Sequence, residues 1–343
     1  MAGEAPFSYF SSGGDLRNTE ARSNQVELYG LEEVDKALAD IQRREERSLL
    51  SLPNVLGVGV GRKGSNGFET NEPCLVVLVS RKLPATQLSA TDRIPELVEH
   101  CKTDVIEVGE LSALEAPEPP RESSPGARMR PAQGGLSVGR PDGFAGTIAG
   151  AVIDAECPAG SLRRYYLLGS NSALAAVNEG KIGDPLLQPS ARDGGLLSQD
   201  VLGKLARFVP LHFDGTANYV DAALAEVRFM DLDRAVFWIG NPQDRSPRVR
   251  IGQALQKTGR SSHYTTGVVR AVNVTLSVAY GARSAQFRQQ ILTSPLAVAG
   301  DSGSLVFDVT RRAVGLTLAA SAHAAAVSPI GLVESLLGIR VGF

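Results

Sequence analysis

Cysteine, histidine and aromatic residues are scarce in this 343-residue chain, and each scarcity excludes something. Cys74, Cys101 and Cys157 are an odd number of thiols spread far apart. They offer neither a disulfide framework nor the paired spacing of a cysteine metal site, so no metal and no cofactor is expected. Charge of one sign is lacking too: 35 Lys and Arg stand against 37 Asp and Glu, a net charge of -2. So balanced a chain has no general attraction for polyanions, which argues against nucleic acid and acidic membranes as partners. The longest apolar runs, CLVVLV at 74–79 and AVGLTLAASAHAAAV at 313–327, are too short or too polar to span a bilayer. The opening MAGEAPFSYFSSGGDLRN lacks the basic-then-apolar pattern of a leader, and a cytoplasmic protein is the expectation. Histidine is present only as His100, His212, His263 and His323.

What is there divides along the chain. Residues 1–25 are polar and Gly/Ser-rich, a flexible tail by composition. Leu31, Val34, Leu38 and Ile41 then recur at three- and four-residue steps, which predicts a helix with QRREERS (42–48) on its solvated face. VLGVGVGRK, CLVVLVSRKL and TDVIEVGEL are short β-branched runs, so residues 26–111 read as a small α/β domain. GVGRKG at 59–64 matches Gly-x-Gly-x-x-Gly, but a polar turn and a strand follow it rather than a helix, so a glycine-rich hairpin is expected. Residues 112–135 are dense in Pro, Ser, Gly and charge and read as a linker. Beyond it, 136–343 alternates short apolar runs with Gly, Asn, Asp and Pro turns, the pattern of a mostly β region. The stretch GNPQDRSPR at 240–248 divides it into halves, about 136–239 and 249–343.

Two local patterns carry chemistry. GDSGS, Gly300 to Ser304, enters the apolar run LVF. Such a turn presents the Ser302 hydroxyl, while the amides of Gly300 and Ser302 can point at a developing oxyanion. DAALAEV at 221–227 follows the strand-like ARFVPLHF; Ala222 to Ala225 would suit a helix locally, and a lone Asp221 is an ordinary cap or turn residue.

Taken together, GDSGS, DAALAEV, IGDPLLQPS (182–190) and KTGRSSHYTTG (257–267) resemble the trypsin-like serine protease superfamily, with closest similarity to the bacterial and narrow-leaf plant type. NVLGVGVGRK and DRIPELVEHCKTDVIEVG resemble the domain that precedes the protease in bacterial members. The resemblance implies a chymotrypsin-like double β-barrel with the active site between the barrels, preceded by the small α/β domain. It also implies a protein or peptide partner and makes a homo-oligomer plausible.

The resemblance further implies a triad in the chain order His, Asp, Ser. Asp221 matches the aspartate and Ser302 the nucleophile, but the histidine segment reads GSNSALAAVNEGKIGDP. Aligned without a gap, Ser172 stands in the histidine's place, 49 residues before Asp221; a one-residue slip would put Ala173 there. Neither can act as a base near neutral pH. The implied protein is therefore a pseudoprotease that binds a peptide and barely cuts it. The alternatives are an active serine endopeptidase with a substitute base, His263 being the best placed, or an engineered histidine-less variant of one. Leu296, six residues before Ser302, falls at the expected base of the specificity pocket, with Ala297, Val298, Leu318 and Ala319 as neighbours. With no carboxylate there, small or aliphatic side chains are the expected preference.

Overall fold

Alternating glycine and valine in VLGVGVGRK builds the strand Val55–Ser65, which follows the helix Glu33–Leu50. The strand pairs antiparallel with Phe68–Val79 on one edge and with the long strand His263–Tyr280 on the other. Its glycines answer to close approach: a Cβ on Gly59 would lie 2.7 Å from Val274 Cγ2, and one on Gly57 2.7 Å from the Thr275 carbonyl. The glycine-rich segment is thus a packed hairpin. The computed structural model describes residues 33–65, 68–112, 124–143, 145–156, 164–246 and 248–342. The tail 1–25, the first predicted helical residue Leu31 and residues 113–123 of the expected linker lie outside them.

The predicted helical spacing places Leu38, Ile41 and Leu49 in one apolar cluster with Val58, Val60, Val269 and Val272. Arg43, Arg44 and Arg47 face solvent, as expected of QRREERS. Gln42 is the exception: it is buried and donates to the carbonyls of Val58 at 3.1 Å and Asn273 at 2.8 Å. Cys101–Glu107 runs parallel to Phe68–Val79 and completes the α/β unit. This unit is continuous with the sheet of the C-terminal half, because Val55–Ser65 and His263–Tyr280 share backbone hydrogen bonds.

The described part of the expected linker departs from its composition. Ala132–Gly134 is a strand parallel to Leu232–Val236, Ala132 is buried, and Arg128 Nε meets Asp200 Oδ1 at 2.8 Å. Proline and charge suggested solvent exposure, yet the Pro125 carbonyl accepts from Ser137 N–H at 2.7 Å and the arginines are consumed in contacts. Residues 124–135 are part of the folded body.

The rest is mostly β. In the first half, Ser137–Gly139 pairs with Ala145–Thr147, whose continuation Gly150–Asp154 pairs with Tyr165–Gly169; Ala223–Val227, Val201–Phe208 and Pro185–Leu187 follow, and Leu187 returns to Gly139. In the second half, Ala254–Gly259, Leu305–Asp308, Ala313–Ala320, Ala325–Pro329, Arg283–Thr293 and His263–Tyr280 form a ring, closed by the pairing of the first with the last. The fold is a double β-barrel of the chymotrypsin-like kind. DAALAEV is strand from Ala223 to Val227, because tertiary pairing on both edges overrides the helical preference of its alanines. Leu168, Tyr219, Ala222, Leu305, Phe307 and Ile330 belong to a cluster that joins the two halves. Among the described residues no helix is long and apolar enough to cross a membrane.

Candidate functional site

Strand register brings the first two site residues together. Ala223 sits opposite Gly169 in an antiparallel pair, so two residues further Asp221 lies beside the turn that begins at Asn171. Ser170 caps that single helical turn, Asn171–Leu174, accepting from the Ala173 N–H at 3.3 Å. Asn171 is pinned by donating to the Val209 carbonyl and to Asn178 Oδ1, each at 2.8 Å. The Ser172 N–H then donates to Asp221 Oδ1 at 3.0 Å, and Ser172 Oγ lies 3.2 Å from Ser302 Oγ. Ala173 instead packs against Gly146.

Ser302 is held from two sides. The Thr147 hydroxyl donates to the Gly300 carbonyl at 2.9 Å, and the Thr147 N–H donates to the Ser302 carbonyl at the same distance. Below the turn, Asp301 is fully buried and pairs with Lys257 Nζ at 2.8 Å. Asp301 also accepts from the N–H groups of Ser261 at 2.9 Å, Ser262 at 3.2 Å and Val298 at 3.1 Å, and from the Ser262 hydroxyl. Burial pulls the Lys257 ammonium below the ordinary lysine value, although Asp301 opposes it. Arg260 forms a second buried pair with Asp193, and its N–H donates to Thr147 Oγ1 at 3.0 Å. Gly300 has φ +95°, a conformation glycine adopts freely. Among the described residues the amides of Gly300 and Ser302 donate to no acceptor.

The partners of the Ser302 hydroxyl are hydroxyls. Ser302 Oγ and Ser172 Oγ each lie 3.2 Å from Ser170 Oγ, closing a buried ring of three serines. Asp221 makes no bond to Ser302; its Oδ2 accepts from Tyr280 OH at 3.0 Å. Burial outweighs the hydrogen bonds from Ser172 and Tyr280 and holds the Asp221 carboxyl above the usual carboxylate range. Tyr280 is pushed well above the ordinary phenol value by burial and by Asp221, so it serves as a neutral donor.

Asp221 therefore binds its proton more tightly in the folded chain than in the unfolded one. Between those two pKa values the folded state carries more protons, and stability falls as pH rises through the window. Asp221→Asn keeps an acceptor and removes the buried charge. It is expected to raise the Tm at pH 8, with the gain shrinking towards about pH 4, where the unfolded carboxyl also protonates. Thermal denaturation at both pH values checks this; a lower Tm for the variant at pH 8 contradicts it.

The four histidines lie elsewhere. His263 is exposed and its ring stacks on Trp238 at 5.6 Å between centroids. His212 is held through its backbone by Asn218, His323 is exposed, and His100 is exposed in the turn before Cys101. Of the expected pocket residues, Leu296, Ala297, Leu318 and Ala319 are all buried, but the first two belong to one apolar cluster and the last two to another. Val298 is exposed. Sequence reading missed Ser170, Tyr280, Thr147 and the two cations. Lys257 and Arg260 stand in the quoted KTGR and could have been suspected of pairing; Thr147 and Tyr280 carry no local signal.

No protein-family model matches the chain, and no curated protein matches it. Solved structures do. Thermobifida fusca Protease A is 15% identical with a TM-score of 0.44, over 61% of this chain and 97% of its own. Cellulomonas bogoriensis chymotrypsin is 18% identical with a TM-score of 0.42, over 61% and 97%. A glutamic acid specific serine protease is 22% identical with a TM-score of 0.42, over 61% and 99%. The chain is similar to trypsin- and chymotrypsin-like serine proteases. Its own hydrogen bonds, not these likenesses, define the site's chemistry.

Proposed function

We propose that the chain is a pseudoprotease: a protein that holds an extended peptide or protein segment in the cleft between its barrels and does not hydrolyse it. The observation that carries this reading is the contact of Ser172 Oγ with Ser302 Oγ at 3.2 Å, with the Ser172 N–H on Asp221. Ser172 occupies the place where a proton acceptor must stand, between carboxylate and nucleophile. A serine hydroxyl needs a base with a pKa near neutrality to become a nucleophile, and hydroxyl partners supply none. Lys257 is engaged with Asp301 and Ser262, and His263 with Trp238, so neither serves Ser302. The amides of Gly300 and Ser302 would remain as donors to a bound carbonyl, which supports binding without turnover.

Casein hydrolysis tests the reading. The unmodified chain is expected to match its Ser302→Ala variant, both at the background of buffer. A rate for the unmodified chain that Ser302→Ala abolishes would establish an active endopeptidase instead.

A further inference from the structure

The strand Ala313–Ala320 has an edge that its own barrel does not use. Leu305–Asp308 pairs with it only as far as Leu305 opposite Leu316. Beyond that, Thr317 exchanges bonds with the nucleophile turn: Gly303 N–H donates to the Thr317 carbonyl at 3.0 Å, and Thr317 N–H to the Ser304 carbonyl at 2.9 Å. Leu318, Ala319 and Ala320 therefore run on past Ser302, with Ala319 and Ala320 paired on the far edge to Ala326 and Ala325. An unused strand edge beside a cleft is where an extended peptide adds as a further strand.

At its end, Ala320, that edge is met by the chain itself. Ser112 forms an antiparallel bridge with Ala320 and a parallel bridge with Ala279. The Ser321 hydroxyl donates to the Val108 carbonyl, and the Ala279 N–H donates to the Leu111 carbonyl at 3.1 Å. Leu111 is only 3% exposed and belongs to the same apolar cluster as Leu318, Ala319 and Tyr280. The segment is an extension of Cys101–Glu107, anchored at its start by the Val108 N–H on the Val79 carbonyl at 2.9 Å. The α/β unit thus places Ser112 at the end of the strand that passes the nucleophile, and Leu111 next to the tyrosine that bonds Asp221.

We infer that Val108–Ser112 is a resident occupant of the peptide edge. It holds in cis the Ala320 end of the place an outside peptide would take, and an outside peptide spanning that end binds only when it is displaced. The inference rests on the reading of the cleft as a peptide groove. It adds that the groove is closed in the isolated chain and that the N-terminal unit controls access.

The test uses the full chain and a fluorescein-labelled synthetic peptide of this chain's own sequence, VGELSALEA (108–116), followed by fluorescence anisotropy. Leu111→Asp with Ser112→Pro removes the apolar anchor and the bridge, and leaves the Leu111 position for the peptide's own leucine. Because the resident segment competes in cis, the double variant is expected to bind the peptide at least about 100-fold more tightly than the unmodified chain. Leu111→Ala alone, a gentler change, is expected to give roughly tenfold; it decides the matter if the double variant loses its near-UV circular dichroism. Equal binding by the unmodified chain and a folded variant overturns the inference, as does no binding to either. The functional reading fails separately, by Ser302-dependent casein hydrolysis in the unmodified chain, which leaves the anisotropy comparison intact.

Discussion

Ser172→His is expected to raise the rate at which a fluorophosphonate modifies Ser302 by about 10³-fold or more, the scale of a positioned general base. The backbone at 172 already has the required relations. Its N–H bonds Asp221 Oδ1, and its side chain points at Ser302 Oγ 3.2 Å away. An imidazole on the same Cβ would place one nitrogen towards Asp221 and the other towards the Ser302 hydroxyl, so that a proton leaving Ser302 has an acceptor stabilised by the carboxylate. Removing the histidine of a working triad costs on the order of a million-fold in turnover, so the expected recovery is partial. Ser170 sets the shortfall: its oxygen also lies 3.2 Å from Ser302 Oγ and competes for that proton. Adding Ser170→Ala to Ser172→His should increase the rate further. Ala173→His should not help, because Ala173 packs towards Gly146 in the first barrel. Stopped-flow or gel-based labelling of the variants separates these outcomes.

Asp301→Ala is expected to destabilise the fold by about 3–5 kcal/mol, the usual result of stranding one member of a buried pair. Both side chains of the Lys257–Asp301 pair are completely buried. Without Asp301, the ammonium keeps only the Ser262 hydroxyl among the described residues, and the N–H groups of Ser261, Ser262 and Val298 lose their acceptor. A shift in Tm of about 10 °C follows for a domain of this size. Lys257→Met combined with Asp301→Asn removes both charges and should recover much of the loss, so the two substitutions will be strongly non-additive. Additive losses in urea denaturation would show that the pair is not the source of the stability. The pair fixes the Ser302 turn, and it does so whether or not that turn performs catalysis.

The legible part of this molecule was the part encoded by adjacent residues. GDSGS, the strand periods and the alternating glycines and valines each describe a local conformation that the fold then keeps. The resemblance pairs Asp221 with Ser172, and antiparallel register sets the two side by side through the pairing of Ala223 with Gly169. DAALAEV shows where local preference misleads, since pairing on two edges holds its alanines extended. The illegible part depends on long-range register. Tyr280 reaches Asp221 only because an 18-residue strand carries it there, and Thr147 meets Gly300 from the other barrel. The packing of residues 124–135 was hidden for a different reason: their proline and arginine are used in specific contacts rather than displayed to water. Ser112 opens the linker that composition suggests, and nothing in its neighbours' composition announces a bridge to Ala320.

We propose that Ser302 is an unactivated hydroxyl, since its partners are the hydroxyls of Ser172 and Ser170. Its most direct test is the second-order rate of phosphonylation of Ser302 in the unmodified chain, measured beside Ser172→His and Ser302→Ala. The unmodified chain is expected to be labelled no faster than Ser302→Ala, while Ser172→His is labelled readily. Labelling of the unmodified chain at a rate comparable to Ser172→His, lost on Ser302→Ala, would contradict it.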